Sequence, residues 1–158
     1  MSKTPTLKLV NISDFIKLMD GGLAKSFESG IKDLRNQTRF SYTDIVKESE
    51  KDSRDVRIAL LISGNTVIFV TRVLKKGTTV EINMVYTNPK FRGKGYCKNT
   101  LKKIIQKTRA VNFFLDVKKN NIPAISCYEK IGFIHGKVSG SILHMTYKKG
   151  SNATRKKV

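Results

Sequence analysis

Apolar residues along this chain follow two different periods. Phe15, Ile16, Met19, Leu23, Phe27, Ile31 and Leu34 recur every three or four positions, the spacing that lines one face of a helix. Ser13 followed by Asp14 offers an N-cap, and Gly21-Gly22 interrupts the face, dividing it into two helices or one bent one. A strand over 7–12 precedes this run and a short polar helix over 43–52 follows it. From Val56 the period falls to two. Segments 56–63, 66–74 and 79–87 are rich in Val, Ile and Thr and are parted by Gly64-Asn65 and Lys75-Lys76-Gly77, which predicts a meander of three antiparallel strands. Helical spacing returns over 95–110, with Cys97, Leu101, Ile104, Ile105 and Thr108 on one side and Lys98, Lys102, Lys103, Gln106, Lys107 and Arg109 on the other. A strand over 112–117, a helix over 121–131 and strands over 133–138 and 142–147 complete the pattern. An early meander followed by strand, helix, strand predicts a mixed α/β (α+β) sheet with helices on both faces.

Length changes little in this picture: 158 residues fit one domain, assigned to 1–147, and the polar, basic residues 148–158 read as a flexible tail. The hydrophobic share, 39%, is that of a globular protein that folds without a staple. Cys97 and Cys127 lack the neighbours of a CxxC metal or redox site and read as reduced thiols in a cytoplasmic, intracellular setting. The N-terminal residues lack the apolar stretch of a secretory signal, no segment has the length of a membrane span, and the Asn152-Ala153-Thr154 sequon carries no meaning in such a setting. Charge matters more. A net charge of +19 points to an anionic partner: a phosphorylated cofactor, an acidic or phosphate-bearing substrate, or nucleic acid held by nonspecific attraction. Lysines that merely solvate helix faces account for it equally well.

The most informative stretch is Asn88-Pro89-Lys90-Phe91-Arg92-Gly93-Lys94-Gly95-Tyr96-Cys97-Lys98, between a strand and a helix. Gly93 and Gly95 let backbone N–H groups turn into one concavity, and the helix dipole adds about half a positive charge there. Such a loop binds a diphosphate, and Lys90, Arg92, Lys94 and Lys98 strengthen it. A tight strand-to-helix turn would use the same glycines. It is neither a Walker loop nor a full GxGxxG fingerprint.

Arg92-Gly93-Lys94-Gly95-Tyr96-Cys97 resembles the (Arg/Gln)-x-x-Gly-x-(Gly/Ala) pyrophosphate loop of the GNAT N-acetyltransferases, with Cys97 where Gly or Ala is usual. Residues 115–133 resemble the family's second motif, with Asn121, Ala124, Tyr128 and Gly132-Phe133 at matching separations. The resemblance covers about 56–147. It implies a central, mostly antiparallel sheet of about seven strands whose fourth and fifth strands splay apart, and acetyl-CoA as co-substrate, without a metal. The pantetheine arm would run along Val85, Tyr86 and Thr87, close to an N–H able to polarise the thioester. Arg92, Gly93, Lys94, Gly95, Tyr96, Cys97 and Lys98 would hold the pyrophosphate, and Asn121 and Tyr128 would line the groove. Spacing agrees on this last point, since 121, 124 and 128 share one helix face.

Acetylating an amine sets two demands. An amine of pKa near 10.4 is only about 0.04% neutral at pH 7, so a base or a water chain must remove a proton at a deficit of about 4.6 kcal/mol. Glu81 and Asp116, on the expected fourth and fifth strands, are the candidates, Glu81 slightly ahead; either also reads as an exposed strand charge. The departing thiolate must be protonated, the role the resemblance implies for Tyr128, which otherwise reads as a buried aromatic anchor. Cys97, Cys127, His135 and His144 are taken as structural. The sequence thus predicts direct transfer of acetyl from acetyl-CoA to an unidentified primary amine by a monomer or homodimer with no membrane role. Its rivals are a nucleic-acid-binding protein and an acyl-CoA sensor without turnover on the same scaffold. The first lacks zinc spacing, an RNP-like strand and Trp.

Overall fold

The computed structural model describes residues 4–23 and 42–150. The predicted helical positions Phe27, Ile31 and Leu34 and the tail beyond Gly150 lie outside the described residues. Strand β1 (Thr6–Val10) leads into α1 (Ile12–Leu18), which starts earlier than Ser13 because Asn11 is the cap: its Oδ1 accepts from the Asp14 N–H at 2.8 Å. The helix ends in a π-turn (Met19–Leu23) at which Gly22 takes φ 116°, the break the Gly-Gly pair predicts. Then come α2 (Tyr42–Lys51), β2 (Asp55–Ser63), β3 (Thr66–Lys76), β4 (Thr79–Thr87), α3 (Tyr96–Lys107), β5 (Asn112–Lys118), α4 (Ile122–Ile131), β6 (Ile134–Ser139) and β7 (Ile142–Lys148).

The seven strands form one sheet in the order β1-β2-β3-β4-β5-β7-β6, antiparallel except for β4 with β5. Its two faces carry separate cores. Alternation along the strands sends Val80, Ile82, Phe113, Leu115, Val117, Leu143 and Met145 to one side, against Leu101, Ile104 and Ile105 of α3 and Ile125, Tyr128 and Ile131 of α4. Ile58, Leu60, Val70, Leu74 and Tyr86 point the other way, against Phe15 and Met19 and against Ile45 of α2. That second core takes no residue from β5, β6 or β7, so Phe114, Asp116, His144 and Thr146 lie on a face that no described helix packs against.

Strand β4 carries two irregularities that shape the site. Its ladder with β5 is only three pairs long, Thr79↔Asn112, Val80↔Phe113 and Glu81↔Phe114, after which the parallel strands part. Its ladder with β3 shifts between Val70↔Tyr86 and Arg72↔Asn83, so that Thr71 faces both Met84 and Val85. Met84 sits at φ 52°, the one positive φ among the described non-glycine residues, at a cost of about 1–2 kcal/mol. At the other end of the chain, Lys148 pairs with Asn112, and Lys149 donates through Nζ to the Ile105 carbonyl at 2.8 Å and the Thr108 carbonyl at 3.0 Å, closing the C-terminus of α3. These first residues of the expected tail are therefore part of the fold.

Candidate active site

The loop after β4 is anchored by a residue that sequence reasoning passed over. Asn88 is buried, donates through Nδ2 to the Val67 carbonyl at 3.0 Å and accepts from the Lys90 N–H through Oδ1 at 3.2 Å. Pro89 then starts a single 3-10 turn, and Phe91 packs edge-on to Tyr96, centroids 6.0 Å apart, which ties the two ends of the loop together. Gly93 and Gly95 take φ 76° and 82°, the left-handed region their lack of Cβ permits. Gly95 is the N-cap of α3 and offers no side chain, and the first bond of the helix runs from the Asn99 N–H to the Gly95 carbonyl at 3.0 Å. The helix itself therefore leaves the N–H groups of Tyr96, Cys97 and Lys98 without an acceptor, at the positive end of its dipole. Arg92 reaches back, donating through Nε to the Thr87 carbonyl at 3.0 Å with its guanidinium 5.9 Å from the Tyr86 ring centre, and Lys94 lies over Phe91 at 5.8 Å.

Asn121, Ala124 and Tyr128 share a face of α4 as predicted, and exposure falls along it: Asn121 is exposed, Ala124 half-buried and Tyr128 buried. Asn121 also caps the helix, accepting from the Ala124 N–H at 3.3 Å. The Tyr128 ring stacks obliquely on Phe133 at 6.0 Å. Burial pushes its phenol well above the ordinary value, and the nearby Cys97 and Cys127 add to the rise. These two thiols form a pair that the sequence did not reveal. Their mutual hydrogen bond, with burial, raises Cys97, and the same bond lowers Cys127, helped by Lys130 and Lys98 against the effect of burial. The loop position at which the sequence departs from the family pattern is thus in contact with the residue beside Tyr128.

The two candidate bases lie on the sheet face opposite Tyr128, in unlike surroundings. Glu81 accepts from Arg54 Nη1 at 2.9 Å and from Asn83 Nδ2 at 3.3 Å, and Arg54 also holds Asp52 at 2.7 Å. Asp116 has a half-exposed side chain and one bonded oxygen, Oδ1, 2.8 Å from His144 Nδ1. His144, which spacing alone presents as isolated, is thus the neighbour of a candidate base. With Lys137, Ser139 and Ile142 they line a concavity of about 360 Å³ on the uncovered face. Among the described residues no group of three or more His, Cys, Asp or Glu side chains is placed to hold a metal ion, and no helix is long and apolar enough to cross a membrane.

The model of the acetyltransferase (GNAT) family matches residues 31–133, well over half of the chain. No protein among those with curated descriptions matches. Among solved structures, Campylobacter jejuni N-acetyltransferase PseH is 18% identical with a TM-score of 0.61, the match covering 92% of this chain and all of that one. Vibrio cholerae spermidine N-acetyltransferase, solved with CoA and spermine, is 13% identical with a TM-score of 0.61 over 94% of this chain and 98% of that one. The PaiA N-acetyltransferase of Thermoplasma acidophilum, solved with coenzyme A, gives 18% and 0.59 over 90% and 99%. At such identities the structures speak for the fold, and the family model for the family. The chain belongs to the GNAT acetyltransferase family and is an acetyl-CoA-dependent N-acetyltransferase.

Proposed function

We propose that acetyl-CoA lies in the gap between β4 and β5, its diphosphate on the N–H groups of the 92–98 loop and its pantetheine arm along Val85, Tyr86 and Thr87. The parting of the two strands beyond Glu81↔Phe114 carries this reading, because strand edges left unpaired there can bond the amides of the arm. The gap also connects the two faces of the sheet. The amine approaches from the side of Asp116 and His144, and the sulfur departs toward the side of Tyr128. A deprotonated amine attacks the thioester carbonyl, a backbone N–H after the bulge stabilises the oxyanion, and the C–S bond breaks. Tyr128, whose phenol is protonated at neutral pH, donates that proton to the departing sulfur, so that CoA leaves as the thiol, and regains a proton from solvent.

Of the two carboxylates, Asp116 is the better proton acceptor, acting directly or through a water. Glu81 already accepts from a guanidinium and an amide, whereas Asp116 keeps one oxygen clear of its His144 bond. The acceptor we infer carries an acidic or phosphate group beside its amine. A net charge of +19 attracts such a molecule and repels a polyamine, and Lys137 supplies a cation within the concavity. Single-turnover acetylation of a panel of amines tests this reading. Phosphate- or carboxylate-bearing amines should be acetylated faster than spermidine; a preference for spermidine contradicts the acceptor assignment, and acetyl-CoA binding without turnover of any amine favours the sensor.

A further inference from the structure

Arg72 is the most deeply buried cation among the described residues: 4% of the residue is exposed, and no step of the proposed reaction uses it. Burial draws its pKa down in spite of Asp52, Glu48 and Glu81 nearby, so the fold keeps a charge where solvation is poor. Its contacts converge on one feature. Nη1 donates to Asn83 Oδ1 at 3.2 Å and lies 3.8 Å from Met84 Sδ, which are the residue before the β4 bulge and the left-handed residue within it. Nε donates to Ser49 Oγ of α2 at 3.1 Å, and Nη2 lies 3.7 Å from Asp52 Oδ2, so the guanidinium is itself braced from behind. Thr71, next along β3, donates its hydroxyl to the Asn83 carbonyl at 2.8 Å.

We propose that Arg72 is a positioning residue for acetyl transfer, acting through Asn83 and Met84 to hold β4 in the bulged shape that presents the N–H groups of 85–87 to the thioester. The inference rests on the placement of acetyl-CoA proposed above. A bulge has neighbouring alternatives in which the extra residue slides along the strand, and each would turn a different N–H into the gap. A planar guanidinium bonded to one side of the bulge and in contact with its apex selects among them, as a flexible apolar side chain cannot. Affinity for the cofactor should depend little on Arg72, since the diphosphate sits on the loop. Polarisation of the acetyl carbonyl should depend on it strongly, because misplacing a reacting group by about 1 Å can cost about a hundredfold in rate.

Infrared spectra of acetyl-CoA labelled with carbon-13 at the acetyl carbonyl read this polarisation directly. The parent should lower the bound carbonyl stretch relative to free acetyl-CoA. Arg72→Met should lose at least half of that shift while its Kd for acetyl-CoA stays within about threefold, a change worth only a small part of the binding free energy. Asn83→Ala, which leaves Arg72 its bonds to Ser49 and Asp52, should show the same loss and serves if Arg72→Met does not fold. A full shift in either folded variant overturns the inference. An absence of acetyl-CoA binding by the parent would instead sink the placement of the cofactor, and this inference with it.

Discussion

Glu81 of β4 and Phe114 of β5 are the last two residues at which those strands share a ladder. One residue further along β5, Leu115 is buried against the helices, and the next, Asp116, turns to the uncovered face beside His144. Two residues beyond Glu81 along β4, Asn83 is held by Arg72 at the edge of the bulge. The gap therefore opens between a strand braced from β3 by Arg72 and a carboxylate–imidazole pair.

Tyr128→Phe keeps the ring packed on Phe133 and removes only the oxygen. A positioned general acid is worth about 10²–10⁴ in rate, and because thiolates of pKa near 8.5 already leave well, the lower end of that range is expected, with acetyl-CoA affinity unchanged. Single-turnover rates decide; a loss under about threefold returns Tyr128 to core packing.

Asp116→Asn should slow transfer most at the acidic end of the pH range, where neutral amine is scarcest, by about tenfold or more. Glu81→Gln should act mainly on stability, since it removes the negative charge from the 2.9 Å pairing with Arg54. Rate profiles from pH 6 to 9 separate the two. The opposite pattern makes Glu81 the base, and two profiles that match the parent's leave solvent in that role.

The thiol pair gives an order of reactivity. Thiolate is the reactive form, and the structure draws Cys127 down while raising Cys97. Iodoacetamide at neutral pH should label Cys127 first, and saturating CoA should slow the labelling, as read by peptide mass spectrometry. Earlier labelling of Cys97 contradicts this order.

Acid should loosen the brace behind the bulge. Hydrogen bonds from Arg54 hold Asp52 at about 2, below its ordinary 3.8. A depressed folded-state pKa contributes stability that is present above the unfolded value and is lost as pH falls from about 4 through about 2. Asp52→Asn should therefore be less stable than the parent at pH 6, by about 1–2 kcal/mol in urea unfolding, and the difference should vanish near pH 2. A difference independent of pH would place the effect in packing.

Much of the fold was legible in the residues, and the exceptions share a cause. Local signals placed the strands within a residue or two, because turn residues and periodicity are short-range. The glycines of the loop and the face shared by Asn121, Ala124 and Tyr128 are local in the same sense. Invisible were the contacts made across the sheet. Spacing cannot pair His144 with Asp116, 28 positions away, nor Cys97 with Cys127, and nothing in the residues around Arg72 signals that its charge is buried. Glu81 looked as free as Asp116 because its partner Arg54 precedes it by 27 residues. The helix start moved from Ser13 to Asn11 because two polar residues compete for one cap.

The diphosphate site carries the placement of the cofactor, and calorimetric titration of the parent and of Gly95→Asp with acetyl-CoA tests it most directly. At φ 82°, with Asn99 Nδ2 3.6 Å from an added Cβ, the aspartate strains the backbone by about 1–2 kcal/mol but meets no severe clash, so the variant should fold. Its carboxylate would stand at the N-terminus of α3, where the diphosphate is placed, and the Kd should rise at least about tenfold, a loss of about 1.4 kcal/mol or more. A folded Gly95→Asp protein that binds acetyl-CoA as tightly as the parent would contradict the placement of the cofactor.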